Sequence, residues 1–161
     1  MIDPVRVWYG VGTDLHAIPE EDLQTLADHL YAALVNTMKA DYPIVSKPEP
    51  DVLRIQVLLT EAKGSDVALD TISTLLPIRP ISGLTELATD AQAFVGSAGI
   101  EAKFQDGADD RLLAAVVDRR AGGKRLDGVT DTWSDALAAF DFWASELKCT
   151  LDEARANEHT H

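Results

Sequence analysis

Cysteine is almost missing. Cys149 stands alone among 161 residues, so no disulfide can close within the chain and no cysteine-based zinc site can form. Basic residues are scarce too: 14 Lys and Arg against 27 Asp and Glu, a formal charge of −13. A nucleic-acid surface needs a local excess of cations to displace the counterions of phosphate, and broad adhesion to anionic lipid needs the same, so both partners are disfavoured. There is no run of about 18 apolar residues, so no segment is expected to span a bilayer. The start, MIDPVRVWYG, lacks the basic stretch and apolar core of a signal peptide. What remains is ordinary for a folded protein, with 46% hydrophobic and 25% charged residues. A chain of this length suits one domain and can bury roughly 70% of its unfolded surface, so it needs neither disulfide nor metal to fold. The domain is placed at 5–154, and the polar tail over 155–161 is expected to fray.

Hydrophobic spacing predicts the elements. Val5 to Tyr9 is β-branched and aromatic and reads as a strand. A helix follows from about Pro19, with Glu20, Glu21 and Asp22 suited to its positive end. Leu23, Leu26, Ala27, Leu30, Leu34 and Met38 make its apolar stripe. Tyr42 to Ser46 is read as a short strand. Val52 to Thr60 is read as a longer one, with Leu53, Ile55, Val57 and Leu59 on one face. Residues 64–90 fit neither period, being broken by Pro77 and Pro80, and are read as a short helix plus a loop. Phe94 to Gln105 alternates again, with Phe94, Ala98, Ile100, Ala102 and Phe104 on one side. DGADD (106–110) then joins it to Arg111–Val117 as a hairpin, in a register that sets Phe104 against Leu112 and Ile100 against Val116. Gly122, Gly123 and Gly128 mark the exit loop. A second helix is expected from about Thr132, capped by Asp131 or Thr132, to Ala154. Ala136, Phe140, Trp143, Leu147 and Leu151 line one side of it. The sum is an α+β fold: a two-layer sandwich with a mainly antiparallel sheet of four to five strands and two main helices on one face.

Motifs of chemistry are weak. Tyr9-Gly-Val-Gly12-Thr-Asp14 follows a strand, but Leu15 stands where a nucleotide loop needs its third glycine, so it is read as a plain connection and no cofactor is expected. Ser145 and Lys148 share the spacing of some acylases without their partner motifs, which suits a solvated helix face. Asp106, Asp109 and Asp110 lack the alternating ligands of a calcium loop and are what a turn prefers. His16, His29, His159 and His161 include no metal-type set outside the tail pair, so no metal is expected. Four aromatics, Trp133, Phe140, Phe142 and Trp143, crowd the second helix and read mainly as core, with Phe142 off the stripe and suited to an exposed apolar patch. The strongest remaining feature is a basic clump at a strand end: Asp118, Arg119, Arg120, Lys124 and Arg125. Guanidinium groups recognise carboxylate and phosphate well. The plainer reading is that Asp118 pairs with a neighbouring arginine and holds the hairpin's exit, which is worth only ~0–1 kcal/mol at a surface.

Several stretches in order resemble one family: VWYG, PEEDL, DVLRIQVLLTEAK, VGSAGIEAKF, LLAAVVDRRAGGKR and DALAAFDFWASEL. Together they span roughly residues 5–154 and look like a family of uncharacterised bacterial lipoproteins catalogued as domain of unknown function 3313. The resemblance implies export and a lipid anchor on an N-terminal cysteine, with a periplasm-facing place in the cell envelope. This chain shows neither leader nor N-terminal cysteine, so the anchor is expected only on a segment preceding Met1. The family brings no catalytic residues; Asp118 to Gly122 is its most recognisable signature here. The resulting expectation is a noncatalytic envelope domain that binds a protein partner or a small anionic ligand through the basic clump. Two alternatives stand beside it. One is a small hydrolase assembling Asp118, His16 or Ser97 in space. The other is a self-associating structural subunit that uses strand edges or residues 71–81 to form a homo-oligomer.

Overall fold

The computed structural model describes residues 1–10, 13–64, 96–121 and 132–158. Strand β1 (Arg6–Val7) is followed by a 3-10 turn (Asp14–Ala17), helix α1 (Glu20–Met38), β2 (Leu53–Lys63), β3 (Ser97–Asp106), β4 (Leu112–Ala121) and helix α2 (Ser134–Glu158). The strands make one sheet in the order β1-β2-β3-β4. β1 runs parallel to β2, and the other pairs are antiparallel. Both helices lie against one face, giving the α+β sandwich that the spacing predicts.

The helix stripe explains α1. All six residues of the stripe, Leu23 to Met38, are buried. Pro19 sits at its N-cap and three acidic residues fill the first turn, where the unpaired amides favour negative charge. In α2, Ala136, Ala139, Phe140, Trp143 and Ala144 are buried, and the rings of Phe140 and Trp143 stack with centroids 6.1 Å apart. This helix runs on to Glu158, past the expected end at Ala154. In β2, Ile55, Val57 and Leu59 face the core. A bulge between Leu59 and Glu61 then resets the alternation, so that Ala62 is buried in its turn.

The N-terminal strand is shorter than expected. Ile2 bridges to Ile55, and Asp3 donates its amide to the Ile55 carbonyl, but Pro4 has no amide hydrogen to continue the ladder, which resumes only at Arg6. The strand expected at Tyr42–Ser46 is absent. Pro43 cannot donate, and Ile44 and Val45 are exposed. Tyr42 instead donates its hydroxyl to Asp152 of α2 at 2.7 Å.

The hairpin forms, but its register differs from expectation. Phe104 opposes Ala114, Ala102 opposes Val116 and Ile100 opposes Asp118. A bulge between Phe104 and Gln105 shifts the pairing, and Leu112 faces Gln105. The physical reason is the turn. Asp106 joins the strand, donating its amide to the Arg111 carbonyl, and Asp110 takes a left-handed conformation at φ 58°. The extra residue on β4 is absorbed as the bulge. Phe104 still packs on the core, whereas Leu112 is 54% exposed. The expectation that Leu112 and Val116 are buried therefore fails. α2 meets β4 near Asp118 and Arg120, and nine of the strand's ten residues are exposed.

The readings of 64–90 as a helix and loop, of Phe94 and Val95 as strand and of Gly122, Gly123 and Gly128 as an exit loop fall outside the described residues, apart from Gly64. So do Lys124, Arg125, Asp131, His159 and His161.

Candidate functional site

A strand turns successive side chains to opposite faces. On β4 this splits the basic clump. Asp118 and Arg120 oppose Ile100 and Ala98 on the face toward the helices, while Arg119 opposes Gly99 on the face away from them. The three residues are adjacent in sequence but do not form one charged patch.

On the helix side, Trp143 donates its indole N–H to Asp118 Oδ2 at 2.7 Å. The other carboxylate oxygen accepts the Arg119 backbone amide at 2.9 Å. Asp118 therefore pins α2 to the sheet edge, and among the described residues it pairs with no arginine side chain. The guanidinium carbon of Arg120 lies 3.5 Å from the centroid of the Phe142 ring. A cation held over an aromatic face in this way gains about 0.5–2 kcal/mol.

On the far side, Arg119 Nε donates to Glu61 Oε2 at 2.6 Å, and Ser97 Oγ donates to Glu61 Oε1 at 2.6 Å. The Arg119 hydrogen bond holds the Glu61 carboxyl below the ordinary glutamate range, with partial burial opposing it and Ser97 assisting. Three more polar ties lie on this face. Arg54 donates twice to Asp3 Oδ2 and once to Asp110 Oδ1, and Gln56 donates to Asp3 Oδ2.

Between sheet and helices lies a groove of about 620 Å³. Val57, Ala102 and Val116 form its floor, and Leu34, Phe142 and Leu147 its roof. The polar side chains lining it are Asp118, Glu146 and Thr150. It follows from how α2 meets β4: the helix touches the strand at Asp118 and Arg120 and stands off Ala114 and Val116, so the apolar inner face is left open there. Sequence reasoning missed the groove because alternation shows that a strand has an apolar face, not whether anything covers it. The one signal available was Phe142, an aromatic off the buried stripe, which the structure places in the groove wall at 36% exposure.

The remaining candidates are each engaged separately. Ser145 Oγ donates to the Asp141 carbonyl, while Lys148 bridges Asp152 at 2.7 Å and Asp41 at 3.0 Å. In the turn, Asp106 accepts the Ala108 amide, Asp109 the Arg111 amide and Asp110 the Arg54 side chain, so these carboxylates close the hairpin. Among the described residues no group of three or more His, Cys, Asp or Glu is placed to hold a metal ion. No described helix is long and apolar enough to cross a membrane. His16 lies beside the Tyr9 ring at 5.4 Å, and His29 is exposed on α1. The trio of Asp118, His16 and Ser97 is not brought together: Ser97 and Asp118 point to opposite faces of the sheet, and each has its own partner.

No curated protein and no solved structure matches the chain. A family model described as "Protein of unknown function (DUF3313)" matches residues 1–147.

Proposed function

The chain belongs to the DUF3313 family, and we propose that it is a noncatalytic binding module of the bacterial cell envelope that takes an amphiphile with an apolar body and an anionic end. The observation that carries this reading is the groove: about 620 Å³ of mainly hydrocarbon lining, whose wall residue Phe142 holds Arg120, itself outside the lining, over its ring. Small-molecule sites are commonly clefts of roughly 300–1,000 Å³, mostly apolar, with a few polar groups that set orientation. The lining selects the apolar body. Arg120, on the same face of β4 as Asp118, supplies the cation for an anionic end. The noncatalytic part is supported by the engagement of Ser97 with Glu61 and of Asp118 with Trp143.

The test is calorimetric titration with palmitate and with hexadecanol, which share a tail and differ in charge. Palmitate binds more tightly. Arg120→Ala weakens palmitate on the order of tenfold and leaves the alcohol unchanged. Val116→Asp abolishes both. Absence of saturable binding, or binding indifferent to Val116→Asp, overturns the reading.

The envelope setting is supported by the sequence's likeness to envelope lipoproteins. Expression of the full gene in cells fed labelled palmitate tests it. Label in a membrane-bound product is expected, and an unlabelled product in the cytosolic fraction counts against it.

A further inference from the structure

We propose that the head group selected at the groove is zwitterionic: a phosphate held by Arg120 and, two carbons on, a primary ammonium held by Glu146. This rests on the groove reading above and narrows it. Of the three polar side chains that line the groove, two are already engaged. Asp118 accepts the Trp143 indole on one oxygen and the Arg119 amide on the other. Thr150 donates its hydroxyl to the Glu146 backbone carbonyl at 3.0 Å. Glu146 differs from both. It is exposed, and among the described residues its carboxylate meets no cation and accepts no hydrogen bond.

The charges suit a ligand that carries both signs. A guanidinium lying on an aromatic face keeps its fork of N–H groups for an anion. Arg120 lies so over Phe142, and among the described residues it donates to no acceptor. Glu146 follows Phe142 by four residues, which sets it one turn further along the same face of α2, with Cβ atoms about 5–6 Å apart. A cation and a carboxylate thus stand at neighbouring points beside an apolar groove, and no ion pair joins them. A purely anionic head satisfies Arg120 but adds a negative charge beside Glu146. A quaternary ammonium meets Glu146 by charge but has no N–H to donate. A primary ammonium brings both a full charge and three donors. The ligand class is therefore a single-chain phosphoethanolamine amphiphile, its tail in the groove.

The test is calorimetric titration of the full chain with palmitoyl lysophosphatidylethanolamine and palmitoyl lysophosphatidate, both below their micelle concentrations. The two share tail and phosphate and differ in the ethanolamine. The ethanolamine form should bind on the order of fivefold more tightly, the upper range for one solvent-accessible ion pair. Glu146→Gln should remove that margin, and Glu146→Lys should reverse it. Arg120→Ala should weaken both lipids. Glu146 is exposed on a helix, so these variants are expected to fold, and circular dichroism checks that they do. A parent that binds the two lipids equally, or a margin that survives Glu146→Gln, overturns this inference. Palmitate binding without binding of either lysolipid overturns it too, and in all three cases the groove reading stands. If neither palmitate nor the lysolipids bind, the groove reading falls and takes the inference with it.

Discussion

Trp143 is the most instructive residue. Its ring is 6% exposed, and a buried indole N–H needs an acceptor. Asp118 supplies one from the sheet edge, across 25 positions of sequence. Replacing Trp143 by Phe keeps most of the packing but leaves a half-buried carboxylate oxygen without its donor. The expected cost is about 1–3 kcal/mol, read from urea unfolding. Asp118→Asn retains an acceptor and is expected to lose less. A Trp143→Phe curve that overlays the parent would show that the bond does not hold α2 to β4. The Arg119–Glu61 pair is shorter, at 2.6 Å, yet the Arg119 side chain is 60% exposed and water screens it, so its expected share of stability is smaller.

At the scale of elements, the two turns at one end of the sheet interlock. The turn before β2 closes with the Val52 amide on the Glu49 carbonyl, and the Gly107 amide of the hairpin turn then bonds to the Val52 carbonyl at 2.8 Å. A Cβ on Gly107 would meet the Glu49 and Val52 carbonyl oxygens at 2.6 and 2.7 Å. Backbone oxygens cannot step aside as a flexible side chain can. Gly107→Ala is therefore expected to cost about 1–3 kcal/mol, the range of overpacking in a dense site. Thermal melting measures it, and a variant as stable as the parent would mean that the two turns separate freely. The same junction explains why the hairpin register is not the one its apolar pattern suggests: turn geometry places the bulge, and the bulge sets the pairing.

At the scale of the whole molecule, an acidic chain has placed several carboxylates against cations. Glu61 is held below its ordinary 4.5, first by the Arg119 hydrogen bond. For Asp3, burial pushes upward, but hydrogen bonds from Arg54 and Gln56 and the charges of Arg54 and Arg6 outweigh it, leaving it below 3.8. A carboxyl lowered by folding contributes stability that is fully present above its unfolded value and is lost as pH falls through its folded one. In that window the unfolded chain binds more protons, so stability climbs with pH. The urea midpoint is expected to rise between about pH 3 and 6, and Glu61→Gln to flatten part of that rise. A flat parent profile would refute the assignment. Lys148, raised by its hydrogen bonds to Asp152 and Asp41, ties α2 to the end of α1 at the surface and should matter little to the midpoint.

The sequence by itself determined the helices and the buried faces of β2 and β3, because periodicity reports directly which side chains must leave water. Leu23 to Met38 and Ile55 to Leu59 were legible on that ground alone. The sheet type followed from the short turn joining β3 to β4, and the family from motifs kept in order. Tertiary structure alone decided which apolar faces are covered. Val116 alternates as convincingly as Val57 and lines the same groove, but α2 stands off β4 there, so Val116 is exposed while Val57 is buried. It also decided the fate of the arginines. Adjacent letters in a strand point to opposite faces, and only the pairing with β3 shows that Arg119 meets Glu61 while Arg120 meets Phe142.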